Sequence, residues 1–292
     1  MTMTTASPPT TVGACVTLAC VWEATAPKPG NVYRGADFQD LTYADFLTSA
    51  AIVGPILEQA IDLGLGQTVL RAVRATQEAV ATNTNLGMLL LMTPLAAVPR
   101  DESMQRGIGS VLETFGEQDT AEVYEAIRLA NPGGIGQVEV ADVNETQTPS
   151  LPLVAAMQLA ANRDLIAKQY TNKFAEVFCV ANRVEALLAM ELPLAAAIVR
   201  AFVELLAQHP DSLIARKCGE ITAKEVSAQA AAVTEAGEPG EIAYEQALQE
   251  FDFALRTDGH RRNPGTSADL IAAGLFVLLH EDRLSWPIRF YS

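Results

Sequence analysis

Apolar residues recur at helical spacing along almost the whole of this chain, and alternating Val/Ile/Thr runs of strand type are missing apart from the short stretch Gln137–Val143. Side chains three and four residues apart share one face of an α-helix, so this pattern commits the chain to packing helix on helix. Abundant alanine, the best helix former, favours the same outcome. The spacing predicts helices over about 12–25, 42–63, 66–80, 84–98, 101–115, 119–130, 151–161, 163–189, 191–208, 220–236, 240–257 and 266–281. Asp119-Thr120-Ala121-Glu122 opens one helix with a cap and early acids, and Thr266-Ser267-Ala268-Asp269 opens another after Pro264-Gly265. Gly64 and Gly66 punctuate the end of the second helix.

No internal repeat and no linker divides the chain. The expectation is an all-α fold: a single compact multi-helix domain of about twelve helices over 12–292, behind a flexible polar tail over 1–11, with its site formed by inter-helix loops. Two of the loops are long, 27–41 and 131–150, and two shorter ones cover 209–219 and 258–265.

Composition narrows the function. With 35 acidic against 20 basic residues the net charge is −15, which argues against a nucleic-acid partner. No apolar run is long enough to span a bilayer, and residues 1–11 lack the basic start and apolar core of a signal peptide. Cys15, Cys20, Cys179 and Cys218 show neither CxxC nor zinc-finger spacing, so reduced thiols in a cytoplasmic protein are expected. His209 and His280 read best as core or surface histidines.

The few cations are concentrated. Ala26-Pro27-Lys28-Pro29-Gly30-Asn31-Val32-Tyr33-Arg34-Gly35 is a stiff loop in which two prolines bar helix and two glycines permit unusual backbone or close approach. It reads either as a phosphate site presenting Lys28 and Arg34, with Asp37 and Asp40 beside them, or as an ordinary helix connection. Thr82-Asn83-Thr84-Asn85-Leu86-Gly87 precedes an apolar helix; its amides, hydroxyls and open glycine suit an anion or a ribose, although one Asn or Thr would suffice as a cap. Asn131-Pro132-Gly133-Gly134-Ile135-Gly136 can form a backbone anion nest, with Glu139 and Asp142 adding carboxylates; it is neither a Walker A nor a dinucleotide motif.

Asp211 is a helix cap or a metal ligand, followed by the basic pair Arg216 and Lys217. His260, Arg261 and Arg262 precede Asn263-Pro264-Gly265-Thr266-Ser267, where helix dipole, guanidinium forks and hydroxyls make an anion pocket, or a capped helix after a solvated turn. If these loops converge they enclose a polyphosphate, with Asp40, Asp142, Asp211 or Asp269 left to hold Mg²⁺ through water.

In order and in residue type, Pro27-Lys28-Pro29-Gly30-Asn31-Val32, Thr82 to Gly87, Asp211 to Gly219 and Asn263 to Leu270 resemble the motifs of the triphosphoribosyl-dephospho-coenzyme A synthase family, over about residues 15–281. The resemblance implies an all-helical transferase for which ATP is a substrate. ATP loses adenine, and the 2′-hydroxyl of 3′-dephospho-coenzyme A bonds to C1 of the triphosphoribosyl group, through an oxocarbenium-like transition state. By motif position it implies Lys28, Arg34, Arg216 and Arg262 for phosphate. Gly30, Asn83, Thr84, Asn85, Gly87, Lys217, Pro264, Gly265, Thr266, Ser267 and Asp269 would line the nucleotide. Asp40, Asp211 and Glu139 would serve catalysis, and Asp40, Asp211 and Asp269 would hold Mg²⁺. Partners would then be small-molecule nucleotides, with a homodimer suggested only by the Ala-rich surface.

Three motifs depart from the family. Its Thr-His-Lys-Gly is Thr84-Asn85-Leu86-Gly87 here, its Asp-Met-Asp is Asp40-Leu41-Thr42, and its Gly-Ile-Arg-Gly-Glu-Ala is the looser Gly134-Ile135-Gly136-Gln137-Val138-Glu139. These changes resemble a divergent branch in methanogens and in tetrahydromethanopterin-using bacteria. Two alternatives therefore stand: a related transferase or hydrolase in pterin-cofactor synthesis, and a non-catalytic nucleotide-binding protein.

Overall fold

A sixteen-residue helix that is apolar on every side has no face to show to water, and it becomes the axis of the molecule. In the computed structural model, which describes residues 11–132 and 150–291, this helix is the last of fifteen. The first seven are α1 (Val12–Thr25), α2 (Tyr43–Leu57), α3 (Ala60–Leu63), α4 (Leu65–Val80), α5 (Leu86–Ala96), α6 (Met104–Glu113) and α7 (Glu117–Ala130). Then come α8 (Leu153–Gln158), α9 (Leu165–Asn172), α10 (Ala175–Ala189), α11 (Leu194–Gln208), α12 (Ser212–Cys218), α13 (Glu220–Glu235), α14 (Ile242–Arg256) and α15 (Gly265–His280). The described residues contain no strand; an isolated bridge joins Tyr33 to Ala36.

Fourteen of the sixteen residues of α15 are buried, as are ten of the eleven in α5, so these two helices form the centre. α1, α5, α10 and α11 pack around α15, and α2, α4, α7 and α13 form an outer layer. Local signals fix the ends. Thr42 and Asp45 form a reciprocal capping box at α2, Thr42 N–H donating to Asp45 Oδ2 at 2.8 Å. Asp164 accepts from the N–H groups of Ile166 and Ala167 at 2.9 and 3.1 Å to open α9.

The all-α expectation holds, with differences at boundaries. The span 42–63 divides into α2 and the single turn α3, where Glu58 turns back to accept from Gly13 N–H of α1. The span 163–189 divides into α9 and α10 at Lys173 and Phe174, which adopt φ of 59° and 61° without a glycine between them. Burial of Phe174 and the hydrogen bonds that Gln169 and Asn172 donate to Glu176 across the break offset that strain, about 1–3 kcal/mol for each such residue. Residues 212–218, expected as loop, form α12. α7 starts at Glu117 rather than 119; Asp119 bonds back to Gly116 N–H at 2.9 Å and across to Gly66 N–H at 3.0 Å. Gln137–Val143 lies outside the described residues. Among the described residues no helix is long and apolar enough to cross a membrane.

Candidate active site

The Pro-Lys-Pro-Gly-Asn loop leaves the end of α1 and ties it to the far end of the chain. Gly30 needs its glycine, with φ at 73° and the place of a Cβ only 2.8 Å from Leu255 Cδ1 and 3.0 Å from Pro264 Cδ. Its N–H donates to Asp252 Oδ1 at 2.7 Å, and Arg256, paired with Asp252, donates to Asn31 O at 2.6 Å. Asn31 Nδ2 donates to Asn263 Oδ1, so the first and last loops meet.

Above this junction opens a cavity of about 740 Å³, in the size range of a small-molecule site. The N-terminal ends of the two central helices, α5 and α15, reach its wall, and their dipoles favour an anion there. Of the residues singled out by sequence, Asp40, Asn83, Thr84, Asn85 and Gly87 line it from one side of the chain's path. Arg216, Lys217, Gly265, Thr266 and Asp269 line it from the other. The polar run before α5 also has structural duties: Asn83 Oδ1 accepts from Leu86 N–H at 3.1 Å, Thr84 donates to Ser49 Oγ at 2.6 Å, and Asn85 donates to Thr76 Oγ1 at 3.2 Å. Gly87 admits a carboxylate, since a Cβ there would stand 2.0 Å from Asp269 Oδ2.

Other candidates lie elsewhere. Lys28, expected on phosphate, is fully buried; its Nζ pairs with Glu23 Oε1 at 2.8 Å and donates to the carbonyls of Glu23 and Ala26. Arg34 is exposed away from the cavity wall, and Arg262 turns to Asp258 at 3.2 Å. Pro264 and Ser267 are buried behind the wall. Asp211, expected in catalysis and on metal, is fully buried and committed. Oδ1 caps α12 by accepting from Leu213 and Ile214 N–H at 2.8 and 3.1 Å, while Oδ2 accepts from Ser267 N–H and Oγ at 2.8 and 2.9 Å. Its four donors join α12 to α15 and leave no lone pair for an ion. Glu139 lies outside the described residues.

The acids proposed for Mg²⁺ therefore do not make one site. Asp211 is closed off, Asp40 is exposed at the rim beside His260 (Nδ1 to Oδ1 3.6 Å), and Asp269 lies inside. Among the described residues no group of three acidic, His or Cys side chains is arranged to hold a metal ion, so Asp40, Asp211 and Asp269 do not act together as one cation site.

Sequence reasoning missed the residue that most distinguishes the cavity. Glu23, at the end of α1, is 3% exposed and lines the cavity; Oε1 faces Lys28, and among the described residues Oε2 has no hydrogen-bond partner. Burial pushes its carboxyl up while Lys28 draws it back. Asp269 has no hydrogen bond or ion pair among the described residues, and its carboxyl is held well above the ordinary range by burial, then by the charges of Glu23 and Asp211. A signal for Glu23 was present: it is the one charged residue in the apolar segment 12–25, five residues before a lysine. Arg163, also missed, brings a third cation to the rim with Arg216 and Lys217. Arg216 is shared with Asp164 at 2.6 Å, and burial lowers Lys217.

Two carboxyl groups, one buried and one half-buried, sharing a cavity with three cations where helix N-termini meet in an all-α fold define an enzyme that handles an anionic small molecule. Residues 9–288 match the CitG family, described as ATP:dephospho-CoA triphosphoribosyl transferase, and the chain belongs to that family. It is thus a transferase of cofactor biosynthesis. A crystal structure from Archaeoglobus fulgidus, provisionally described as a triphosphoribosyl-dephospho-coA synthase, is similar at 26% identity and a TM-score of 0.64, over 80% of this chain and 98% of that one. No curated protein matches the chain.

Proposed function

We propose that this protein transfers the triphosphoribosyl group of ATP to the 2′-hydroxyl of 3′-dephospho-coenzyme A and releases adenine. The observation that carries this reading is that one cavity is lined by two carboxyl groups, those of the buried Glu23 and the half-buried Asp269, and by three cations, Arg163, Arg216 and Lys217. A triphosphate belongs at the cations, which bind and orient it. The ribose C1 then lies toward the carboxyl groups, where a developing oxocarbenium charge is stabilised. Tyr124, Ile127 and Met157 give the cavity an apolar wall suited to a purine or a pantetheine arm. Mg²⁺ enters as the counter-ion of the triphosphate, as part of the substrate.

The test is incubation of the purified protein with Mg-ATP and dephospho-coenzyme A while free adenine is followed by chromatography. Adenine formed only when the acceptor is present is the expected result, and its absence overturns the reading. A second reading, transfer to a different acceptor such as a pterin precursor, is favoured by one observation. Where the family pattern has His-Lys, this chain has Asn85, which donates to Thr76, and the buried Leu86, so no cation is supplied there. ATP binding by calorimetry without adenine release to dephospho-coenzyme A would select it.

A further inference from the structure

We infer that Glu23 and Asp269 work as one acid–base pair, Glu23 taking the proton of the acceptor hydroxyl and Asp269 giving a proton to the departing base. The inference rests on the transfer reaction proposed above and goes beyond it in assigning the proton steps. Three features of the geometry support it. Glu23 Oε2 is a buried acceptor on the cavity wall with no hydrogen-bond partner among the described residues, so it is placed to receive a proton from a bound hydroxyl. Oε1 of the same carboxylate is held by Lys28 at 2.8 Å, which favours the ionised form. Asp269 has no such cation, and its Oδ2 is seated against the glycine at position 87 at the start of α5.

The groups facing the pair come from several elements. Lys28 follows α1, Cys20 lies one turn back within it, Asp164 precedes α9, and Asp211 and Arg216 belong to the start and body of α12. Two carboxylates in that company, Asp164 and Asp211, disfavour a second charge on the pair, whereas one lysine and one arginine stabilise a single one. A site so arranged holds one proton between two carboxyl groups.

The steps balance with the groups present. The hydroxyl oxygen bonds to C1 as its proton passes to Glu23. The C1–N9 bond breaks, its electron pair leaves with the base, and the proton of Asp269 neutralises a ring nitrogen of adenine. Transfer of one proton from Glu23 to Asp269 restores the pair.

A leaving group that needs no proton separates the two roles. Asp269→Asn should lose about 10²–10⁴-fold in turnover of ATP but recover toward the wild-type rate with an N7-methylated purine nucleoside triphosphate, whose base departs neutral. Glu23→Gln should lose as much with both substrates. Because Glu23→Gln strands Lys28, the double variant Glu23→Gln/Lys28→Met keeps the packing neutral and should show the same loss. Equal impairment of Asp269→Asn on both substrates, or near wild-type turnover by the folded double variant, overturns the inference. Carboxyl ¹³C spectra of Asp- and Glu-labelled protein supply a readout free of turnover. One aspartic acid should stay protonated at pH 7 and vanish in Asp269→Asn; if none does, the pair is overturned. Failure of the wild type to release adenine overturns the transfer reading instead.

Discussion

The carboxylate of Asp269 occupies the space that a side chain at position 87 would fill, its Oδ2 only 2.0 Å from where a Cβ on Gly87 would stand. Gly87 lies in the first turn of α5, and its backbone is not in the left-handed region, so alanine is tolerated there conformationally and even favoured by about 1 kcal/mol. What alanine displaces is the Asp269 side chain, together with Ile166 Cδ1 at 2.8 Å. Gly87→Ala should therefore fold, with a thermal midpoint within a few degrees of wild type, and lose most adenine release. A variant that melts normally and turns over normally would show that the position of Asp269 is unimportant.

Two basic residues near the site should behave oppositely. Lys28 is buried against Glu23, and removing one partner of a buried pair costs about 3–5 kcal/mol because the other charge is stranded. Lys28→Ala should accordingly show a large loss of stability in urea. The Arg163 side chain makes no hydrogen bond or ion pair among the described residues and lines the cavity. Arg163→Ala should leave urea stability unchanged and weaken ATP binding about tenfold in calorimetry, the worth of one charge-assisted contact.

That contrast marks what the sequence could and could not reveal. The amphipathic and apolar periods located the helices, α1 to the residue, because helix identity is a local property. The Pro-Lys-Pro-Gly segment was legible as a non-helical loop, yet that does not say which way a lysine points. Here it points inward, to a glutamate one helical turn before the loop. The need for a small residue at Gly87 was legible as well, but the group that approaches it comes from the far end of the chain. α12 escaped notice because seven residues after His209-Pro210 are too few to show a period. The break at Lys173 and Phe174 has no glycine or proline to announce it, and it survives only through tertiary packing.

Asp211 provides a test of structural against chemical duty. Its two oxygens accept four hydrogen bonds, two from the start of α12 and two from Ser267 of α15. Asp211→Ala removes a helix cap, worth about 1 kcal/mol, and strands the buried Ser267 donors, about 1–3 kcal/mol more. Urea unfolding should show a loss of roughly 3 kcal/mol, with Asp211→Asn intermediate because its amide oxygen still accepts. ATP affinity of the folded fraction should not depend more steeply on Mg²⁺ than in wild type. A steeper dependence would return Asp211 to metal binding.

Glu176 makes stability depend on acid at a place far from Asp211 in the chain. Burial pushes its carboxyl up, but donated hydrogen bonds from Lys168, Asn172 and Gln169 prevail and hold it down to about 2, from an ordinary 4.5. A carboxyl with a depressed folded value contributes stability that is fully present above its unfolded value. That contribution disappears as pH falls from about 4.5 toward about 2, because the unfolded chain binds the proton first. Between about pH 6 and pH 3 the wild type should lose about 2 kcal/mol more in urea unfolding than Glu176→Gln, which has no proton to take up at this position. The variant starts less stable at neutral pH, since glutamine replaces a charged acceptor of Lys168 by a neutral one. The two stability curves should thus converge toward acid, and parallel curves would mean that the carboxylate at the α9–α10 break carries no linked stability.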